Sequence, residues 1–200
     1  MFITLEGGEG AGKSTQARLL ASTLAALGHA TLLTREPGGA PGAETLRRLL
    51  LSGAHDWSPD AEALLHFAAR AEHVARTIRP ALAAGMFVVC DRFTDSTLAY
   101  QGYGQGVGCD RIAALAGLLG LAPDLTVVLD VPAAVAARRL AERGDAPDRY
   151  DRLGSAFHAR VAAGFRAIAA REARCVIVSA EGAAASVHAA VLHAVRARMA

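Results

Sequence analysis

The stretch from Phe2 to Thr15 reads FITLEGGEGAGKST, a short apolar run followed by a glycine-rich segment. Gly7–Ser14 fits the pattern G-x-x-x-x-G-K-[ST], and Lys13–Leu27 after it has the apolar spacing of a helix that stops at Gly28. Because a strand precedes the pattern and a helix follows it, the pattern is specific for a loop that binds phosphates. We therefore expect a strand, a loop for a nucleoside triphosphate and a helix, in that order.

Each residue type in this loop has a physical role. Glycines let backbone N–H groups turn toward the phosphates, and the positive end of the helix dipole adds attraction. Lys13 is expected to contact the β and γ phosphates, and the Ser14 hydroxyl to ligate Mg²⁺. The predicted triphosphate-binding residues are Gly7, Gly8, Glu9, Gly10, Ala11, Gly12, Lys13, Ser14 and Thr15.

Apolar runs typical of buried parallel strands recur along the chain. The predicted strands are Phe2–Leu5, Ala30–Thr34, Phe87–Cys90, Leu125–Leu129 and Cys175–Val178. Helical stretches lie between them, so right-handed crossovers predict an α/β fold with a five-stranded parallel sheet and helices on both faces. Ligands of such sheets bind at the carboxyl ends of the strands.

Capping residues and apolar spacing predict the helices. Ser58 and Pro59 are typical of an N-cap and a first helical residue, and the helix is expected to run to about Ile78 before Pro80 interrupts it. The other predicted helices are Ile112–Leu119, Ala133–Glu142, Ser155–Arg171 and Ser186–Arg198.

Composition narrows the class of protein. The 200 residues, 52% hydrophobic and 20% charged, predict one globular domain spanning 1–200. A net charge of +2 argues against a nucleic-acid groove, and the chain lacks a membrane-spanning run and an export signal. Cys90, Cys109 and Cys175 lie far apart and indicate reduced thiols. We expect a soluble, cytoplasmic protein.

An acid and an arginine end the strand Phe87–Cys90. There the Asp91 carboxylate can orient water on magnesium, and the Arg92 guanidinium can neutralise charge on a transferring phosphate. A surface Asp–Arg pair is the alternative. The N-K-x-D tetrad that reads guanine in regulatory GTPases does not follow a predicted strand, which favours a small kinase.

Several motifs in order resemble the signatures of bacterial thymidylate kinases. They are Phe2–Gln16, Thr34–Gly39, Asp91–Phe93, Asp95–Gly102, Pro123–Thr126 and Leu129–Val131. The resemblance runs from Met1 to about Gly182. It implies a three-layer fold like that of the phosphate-loop nucleoside monophosphate kinases, and transfer of the γ phosphate of ATP to dTMP with Mg²⁺. It also implies a homodimer.

The resemblance implies which residues surround the acceptor. Glu9 is similar to an acidic residue near the acceptor sugar and phosphate, and Glu36 lies within a substrate-binding motif. Arg47, Arg70 and Arg92 are similar to arginines that bind the acceptor phosphate, a role that suits their bidentate forks. Arg47, which is next to Arg48, could instead be an exposed helix arginine.

The segment that follows Arg92 resembles the family's acceptor pocket. Ser96, Thr97 and Gln101 offer polar groups to the thymine edge, and the Tyr100 ring can crowd the ribose 2′ position, which would favour deoxyribose. Without the resemblance, Tyr100 is equally consistent with core packing, and Phe93 could be buried.

One position departs from the family pattern. Members usually carry Phe four residues before the arginine that matches Arg70, whereas this chain has His66 there and Phe67 one position later. One residue along a helix rotates a side chain by about 100°. Either His66 stacks on the base, which we favour, or Phe67 does so from a shifted helix. A helix histidine without ligand contact is the third possibility.

Residues of about 143–151 are expected to form a lid over ATP. They pass from a predicted helix through a Gly- and Pro-containing loop, and such loops close over substrates and deliver arginines. In the family, a phosphate loop without an arginine goes with catalytic basic residues in the lid. Arg143 and Arg149 are the candidates here, beside Lys13, Arg92 and Glu9, and an ordinary solvated loop is the alternative.

Two other functions stay open at this point. One is a related phosphotransferase such as a deoxynucleoside kinase, which an altered base pocket at His66 would favour. The other is a nucleotide-binding regulatory protein that has lost catalysis, which intact Lys13, Ser14, Asp91 and Arg92 argue against.

Overall fold

Five parallel strands form the central sheet of the structure, a computed structural model that describes residues 1–143, 149–150 and 152–199, with backbone alone at residue 143. The strands are Phe2–Glu6 (β1), Thr31–Arg35 (β2), Phe87–Asp91 (β3), Leu125–Asp130 (β4) and Cys175–Ser179 (β5). Their order across the sheet is β2-β3-β1-β4-β5, and each neighbouring pair is parallel. The predicted sheet is confirmed, and each strand ends one residue later than expected.

Helices follow nearly every strand. The α-helices of the described residues are Lys13–Ala26 (α1), Pro41–Leu51 (α2), Pro59–His73 (α3), Arg79–Ala83 (α4), Thr94–Thr97 (α5), Cys109–Leu119 (α6), Ala133–Arg143 (α7), Ser155–Arg171 (α8) and Ala184–Met199 (α9). Two π-helical segments, Val74–Ile78 and Leu98–Gly104, directly follow α3 and α5.

The alternation of side chains along β1 explains why both faces of the sheet are covered. Ile3 and Leu5 pack on one face with residues of α1 and α9, including the fully buried Leu20. Phe2 points to the other face, where it packs with Val74 and Ile78. Burial of a side chain such as Leu20 contributes roughly 1.5–3 kcal/mol, so each face is a substantial source of stability. The predicted three layers are confirmed.

The edge strands are less buried than the sequence predicts. All five residues of β1 are buried, but β2 and β5 leave Leu33 42% and Ile177 47% exposed. The expectation that each strand is covered on both faces is therefore wrong at the edges, where a strand has one neighbour.

Pro80 does not interrupt the helical path where the sequence predicts. Ser58 caps α3 as expected, its Oγ accepting a hydrogen bond from the Ala61 N–H at 3.4 Å. After the π-helical segment, α4 continues to Ala83 and holds Pro80 in its first turn. Proline's fixed φ suits the first turn of a helix, so α4 can hold Pro80 there.

Besides α4, three helical segments were not predicted from the sequence: α2, α5 and the second π-helical segment. The signal for α2 was present in the sequence: Pro41 begins the helix, and Ala43, Leu46 and Leu50 recur at three- and four-residue spacing. Predicted starts at Ile112 and Ser186 were two or three residues late. Within the part of the chain that the structure describes, no helix is long and apolar enough to cross a membrane.

Candidate active site

The glycine-rich loop lies at the carboxyl end of β1 and is closed from outside by neighbouring backbone. A Cβ on Gly7 would stand 2.4 Å from the Leu129 carbonyl oxygen, and one on Gly10 would stand 2.6 Å from that of Ala136. Both glycines have positive φ, +136° and +71°, which side chains rarely adopt. The loop is therefore a tight backbone cradle between β4 and α7.

Lys13 is held inside this cradle. Its side chain is 6% exposed, and Nζ donates a hydrogen bond to the Gly8 carbonyl at 2.6 Å. Burial, followed by the charge of Arg92, lowers the pKa of Lys13 to about 8. The ammonium is thus available at neutral pH for a phosphate placed in the loop.

Ser14 and Asp91 form the part of the site that fits a metal ion. The Ser14 hydroxyl donates to Asp91 Oδ2, while the buried Asp91 Oδ1 has no hydrogen-bond partner among the described residues. Hydroxyl and carboxylate oxygens are ligands that Mg²⁺ prefers, and Mg²⁺ usually keeps waters and substrate phosphates as its other ligands. Accordingly, the described residues contain no cluster of three or more His, Cys, Asp or Glu that could hold a metal by itself.

Arg92 joins the loop to the acceptor side. Its Nη2 lies 2.6 Å from Glu9 Oε1, and the Tyr100 hydroxyl donates to the same oxygen at 2.8 Å. Burial alone would raise the pKa of Glu9, but Arg92 and Lys13 outweigh it and lower the pKa to about 2. Arg92 also has a φ of +70°, in the left-handed region that favours glycine. Glu9 therefore stays ionised and holds Arg92 over the loop.

Glu6 supports that strained turn and was not anticipated from the sequence. Its Oε1 accepts the N–H groups of Phe93 at 2.7 Å and of Ser96 at 3.3 Å, and its Oε2 accepts the Ser96 hydroxyl at 2.5 Å. Burial, together with the nearby Asp95, raises the pKa of Glu6 to about 8. The carboxyl group clamps the backbone directly after Arg92.

Arg70 presents an unpaired guanidinium nitrogen. Its Nε donates to Glu36 Oε2 at 2.6 Å, and its Nη2 donates to the Phe93 carbonyl at 3.0 Å and to Thr97 Oγ1 at 3.1 Å. Nη1 is buried with no partner among the described groups. A buried N–H donor without an acceptor is costly, so this nitrogen is suited to an anionic ligand.

Arg47 and Glu36 complete the charged end of the cavity. Arg47 Nη1 donates to the carbonyl of Pro37 at 2.7 Å, so this arginine faces the cavity and is not an exposed one. Glu36 is 4% exposed and also accepts from His73 Nδ1 at 2.9 Å. Both residues line the cavity.

The structure distinguishes His66 from Phe67. His66 lines the cavity, and its Nε2 lies 2.8 Å from the Tyr150 hydroxyl. Phe67 does not line the cavity: it packs with Ala63 and Ile112, and its ring lies 4.9 Å from Arg70 Cζ. The expectation that Phe67 binds substrate is therefore corrected to support of Arg70 by a cation–π contact.

The polar residues of the acceptor segment line the cavity and already have protein partners. Thr97 accepts from Arg70, and Gln101 Nε2 donates to Glu62 Oε1 at 2.7 Å. Tyr100 both lines the pocket and packs in the core, the two roles that the sequence left open. It borders the cavity and packs edge-to-face on the rings of Phe157 and Phe165.

One continuous cavity of about 680 Å³ connects these groups. Its lining includes the predicted residues Glu9, Gly10, Gly12, Lys13, Ser14, Thr15, Glu36, Arg47, His66, Arg70, Asp91, Arg92, Ser96, Thr97, Tyr100 and Gln101. Gly7, Gly8 and Ala11 are outside the lining, where they shape the loop. The cavity is also lined by four residues that were not among the predicted site residues: Arg18, Arg35, Arg139 and Tyr150.

Only part of the predicted lid is described. Residues 144–148 and 151, and the side chain of Arg143, lie outside the described residues. Arg149 does not line the cavity: its Nη2 makes an ion pair with Glu62 Oε2 at 2.9 Å and donates to the carbonyl of Trp57 at 3.4 Å.

The sequence is similar to known proteins over nearly its whole length. The sequence model of the family "Thymidylate kinase" matches residues 5–191. The thymidylate kinase of Gluconobacter oxydans (strain 621H) is 55% identical over 200 residues, which cover 98% of this chain and 94% of that protein. The one of Rhizorhabdus wittichii is 56% identical over 198 residues, with 96% and 95% covered.

A solved structure is also similar. It is the crystal structure of thymidylate kinase from Ehrlichia chaffeensis, which has a TM-score of 0.81, 35% sequence identity and 98% of each chain covered. On these matches and on the cavity that joins the phosphate loop to the buried arginines, this chain belongs to the thymidylate kinase family.

Proposed function

We propose that this protein transfers the γ phosphate of ATP to dTMP, giving ADP and dTDP. The observation that carries the proposal is the cavity that joins the phosphate loop to a buried cationic pocket, where Arg70 Nη1 has no partner among the described groups. A donor site and an acceptor site within one cavity are what a direct phosphoryl transfer requires.

The donor end binds the triphosphate of ATP through the backbone of Gly7–Thr15. Lys13 leaves the Gly8 carbonyl for the β and γ phosphates, since a phosphate is a stronger partner for an ammonium than a carbonyl. Ser14 and Asp91 are the residues that would hold Mg²⁺. Bound there, the ion would neutralise charge on the β and γ oxygens.

The acceptor end selects a monophosphate over a nucleoside. Arg70, Arg92 and Arg47 line it, and Arg70 Nη1 would stay without an acceptor if the second substrate had no phosphate. An oxygen of the acceptor phosphate attacks the γ phosphorus while the bond from that phosphorus to the β–γ bridging oxygen breaks, and ADP leaves. In this transfer the protein positions the substrates and neutralises charge, and it forms no covalent bond to them.

The same end gives a physical basis for preferring deoxyribose. Tyr100 is fixed by its hydrogen bond to Glu9 and by the Arg92 guanidinium, whose Cζ lies 5.2 Å from the ring centroid. A ring held on both sides cannot move aside for a 2′ hydroxyl, so it excludes a ribonucleotide by contact.

The lid arginines are part of the proposal. Arg149 must leave Glu62 to reach the phosphates, which couples its catalytic role to closure around both substrates. Arg143 is proposed from the resemblance alone.

We also propose a domain organisation and an oligomeric state. Residues 1–200 form one domain, and two copies form a dimer, as the resemblance implies. Leu64 on α3 and Leu118 on α6 are 55% and 83% exposed and border an apolar groove of about 360 Å³. Sedimentation velocity checks the dimer, since Leu118→Glu should shift the protein to a monomer.

A coupled assay of ADP release tests the function. With ATP and Mg²⁺, we expect rapid turnover of dTMP, slower turnover of dUMP, and background rates with CMP, AMP and thymidine. Turnover of thymidine instead would indicate a nucleoside kinase. Nucleotide binding without any turnover would indicate that catalysis has been lost.

A further inference from the structure

Tyr150 lies near the end of the predicted lid, about 143–151, and lines the cavity at its acceptor end. Its side chain is 7% exposed, and its ring packs edge-to-face on Tyr100 with centroids 5.4 Å apart at 86°. Its hydroxyl lies 2.8 Å from His66 Nε2 and donates to Glu62 Oε1 at 2.8 Å. One hydroxyl thus joins a cavity-lining imidazole to a buried carboxylate.

The direction of these hydrogen bonds determines which nitrogen of His66 carries its proton. The Glu62 carboxylate can only accept, so the single proton of the Tyr150 hydroxyl is directed to it. The hydroxyl oxygen must then accept from His66, which places the imidazole proton on Nε2. Burial and the charges of Arg70 and Arg92 lower the pKa of His66 to about 3, so the ring is neutral and has only that proton.

Glu62 keeps hydrogen bonds from two glutamines even when the proposed lid closure draws Arg149 away. It is fully buried, its Oε1 accepts from Gln101 Nε2 at 2.7 Å and from Gln105 Nε2 at 2.9 Å, and its Oε2 pairs with Arg149 at 2.9 Å. Arg149 and Tyr150 are consecutive residues, and both bind the Glu62 carboxylate, Arg149 through an ion pair and Tyr150 through a hydrogen bond from its hydroxyl. Tyr150 is therefore locked from the side opposite to His66.

We infer that Tyr150 is a positioning residue of the acceptor pocket, whose hydroxyl, held by Glu62, fixes the rotamer and tautomer of His66 against the acceptor base. This inference rests on the proposed function for the identity of the acceptor. It explains how a histidine can occupy a position where related proteins usually carry a phenylalanine. One hydrogen bond orients the imidazole, whereas a phenyl ring at this position would be oriented by packing.

Tyr150→Phe tests the inference because it removes only the hydroxyl. At saturating ATP and Mg²⁺ we expect the KM for dTMP to rise about tenfold, the effect of leaving a buried donor unsatisfied. The kcat should change less than about twofold, and the KM for ATP should not change, since the hydroxyl does not touch the loop. Tyr103→Phe is the matched control, because Tyr103 packs against Gly164 of α8 and does not line the cavity.

A double-mutant cycle separates positioning from general damage to the fold. His66→Phe removes the group on which Tyr150 acts, so Tyr150→Phe should have no further effect on the KM for dTMP in that background. If the two effects multiply, or if Tyr150→Phe leaves this KM at the wild-type value, the inference is wrong.

A measurement without turnover keeps the inference separate from the proposed function. Long-range ¹H–¹⁵N spectra of the ligand-free protein report the tautomer of each histidine ring. The signal of His66 is assigned as the one that disappears in His66→Phe. It should be that of a neutral ring protonated at Nε2. In Tyr150→Phe that signal should move toward a mixture of tautomers. A wild-type ring protonated at Nδ1 would overturn the inference even if dTMP is the substrate, and failure to phosphorylate dTMP would leave this readout intact.

Discussion

The two ends of the cavity are built in different ways. The donor end comes from one uninterrupted stretch, Gly7–Thr15, in which backbone groups and Lys13 do most of the work. The acceptor end is assembled from side chains on separate elements, and its arginines already have carboxylate partners, as in the pairs Arg70–Glu36 and Arg92–Glu9. Substrate therefore enters a preformed cradle at one end and a balanced set of charges at the other.

This difference predicts different kinds of sensitivity. A change at Lys13 should affect catalysis and leave the fold intact, because its ammonium bonds a loop carbonyl and not a carboxylate. Glu9 of the same stretch belongs to an acceptor-end ion pair. A change in the acceptor end should affect stability as well, because removal of one member of a buried ion pair leaves the other uncompensated. The following substitutions test that division, from the largest expected effect to the smallest.

Lys13→Met should lower kcat by about a thousandfold or more while the melting temperature stays within a few degrees of wild type. The reason is that Lys13 supplies charge to the transferring phosphate but no packing contact that Met cannot replace. The measurement is kcat from ADP release beside a thermal melt. Arg48→Met, on the exposed face of α2, is the control and should keep both values. A collapse of stability in Lys13→Met would remove the contrast between the two ends.

Arg149→Ala should lower kcat by roughly a hundredfold with little change in the KM for ATP, because an arginine delivered to the transition state contributes mainly there. Steady-state kinetics at varied ATP measures both quantities. Arg152→Ala, two residues beyond Tyr150, serves as the comparison for general loss of charge in this segment. A wild-type kcat in Arg149→Ala would show that this residue only anchors Glu62.

Glu36→Gln should lower the free energy of unfolding by about 3 kcal/mol, because Arg70 and His73 lose the charge of a buried partner. Urea denaturation measures the change. The same substitution at Glu72, whose pair with Arg76 is exposed, should change it by less than about 0.5 kcal/mol. Equal effects at the two positions would contradict the description of the acceptor end.

The pH dependence of stability should report His66. Unfolded His66 binds a proton near its ordinary pKa of 6.5, whereas the folded protein does so only near pH 3, so lowering the pH favours the unfolded chain between these values. From pH 7 to 5.5 the wild type should lose about 1 kcal/mol more unfolding free energy than His66→Phe. Urea denaturation at both pH values checks this, and parallel losses in the two proteins would contradict a buried neutral ring.

The same contrast explains how much could be predicted from the sequence. The phosphate loop is a contiguous pattern, so Lys13 and Ser14 could be placed by their spacing alone. Arg70 and His66 could be placed by helical periodicity together with the resemblance. Tyr150 and Glu62 could not, because the hydrogen bond between them joins residues 88 positions apart.

The role of Glu6 and the helix α2 were also not predicted from the sequence. Glu6 ends a strand and looks like part of the loop, and its role depends on the turn after β3 folding over it. The apolar spacing of α2, with Ala43, Leu46 and Leu50 on one face, is contained in its own stretch and could have been predicted. Where contacts come from one stretch the sequence predicts them, and where they depend on the meeting of distant segments it does not.

Lys13 is the only lysine of the chain, since the other basic side chains counted with it are arginines. It is 6% exposed and lies inside the loop, so the folded protein presents almost no ε-amine to solvent. An amine-reactive ester then has two targets, the N-terminal amine and the nucleotide site. The rate at which Lys13 is acylated, followed by mass spectrometry, becomes a direct gauge of how fully ATP occupies the protein, without a fluorophore or a coupled enzyme.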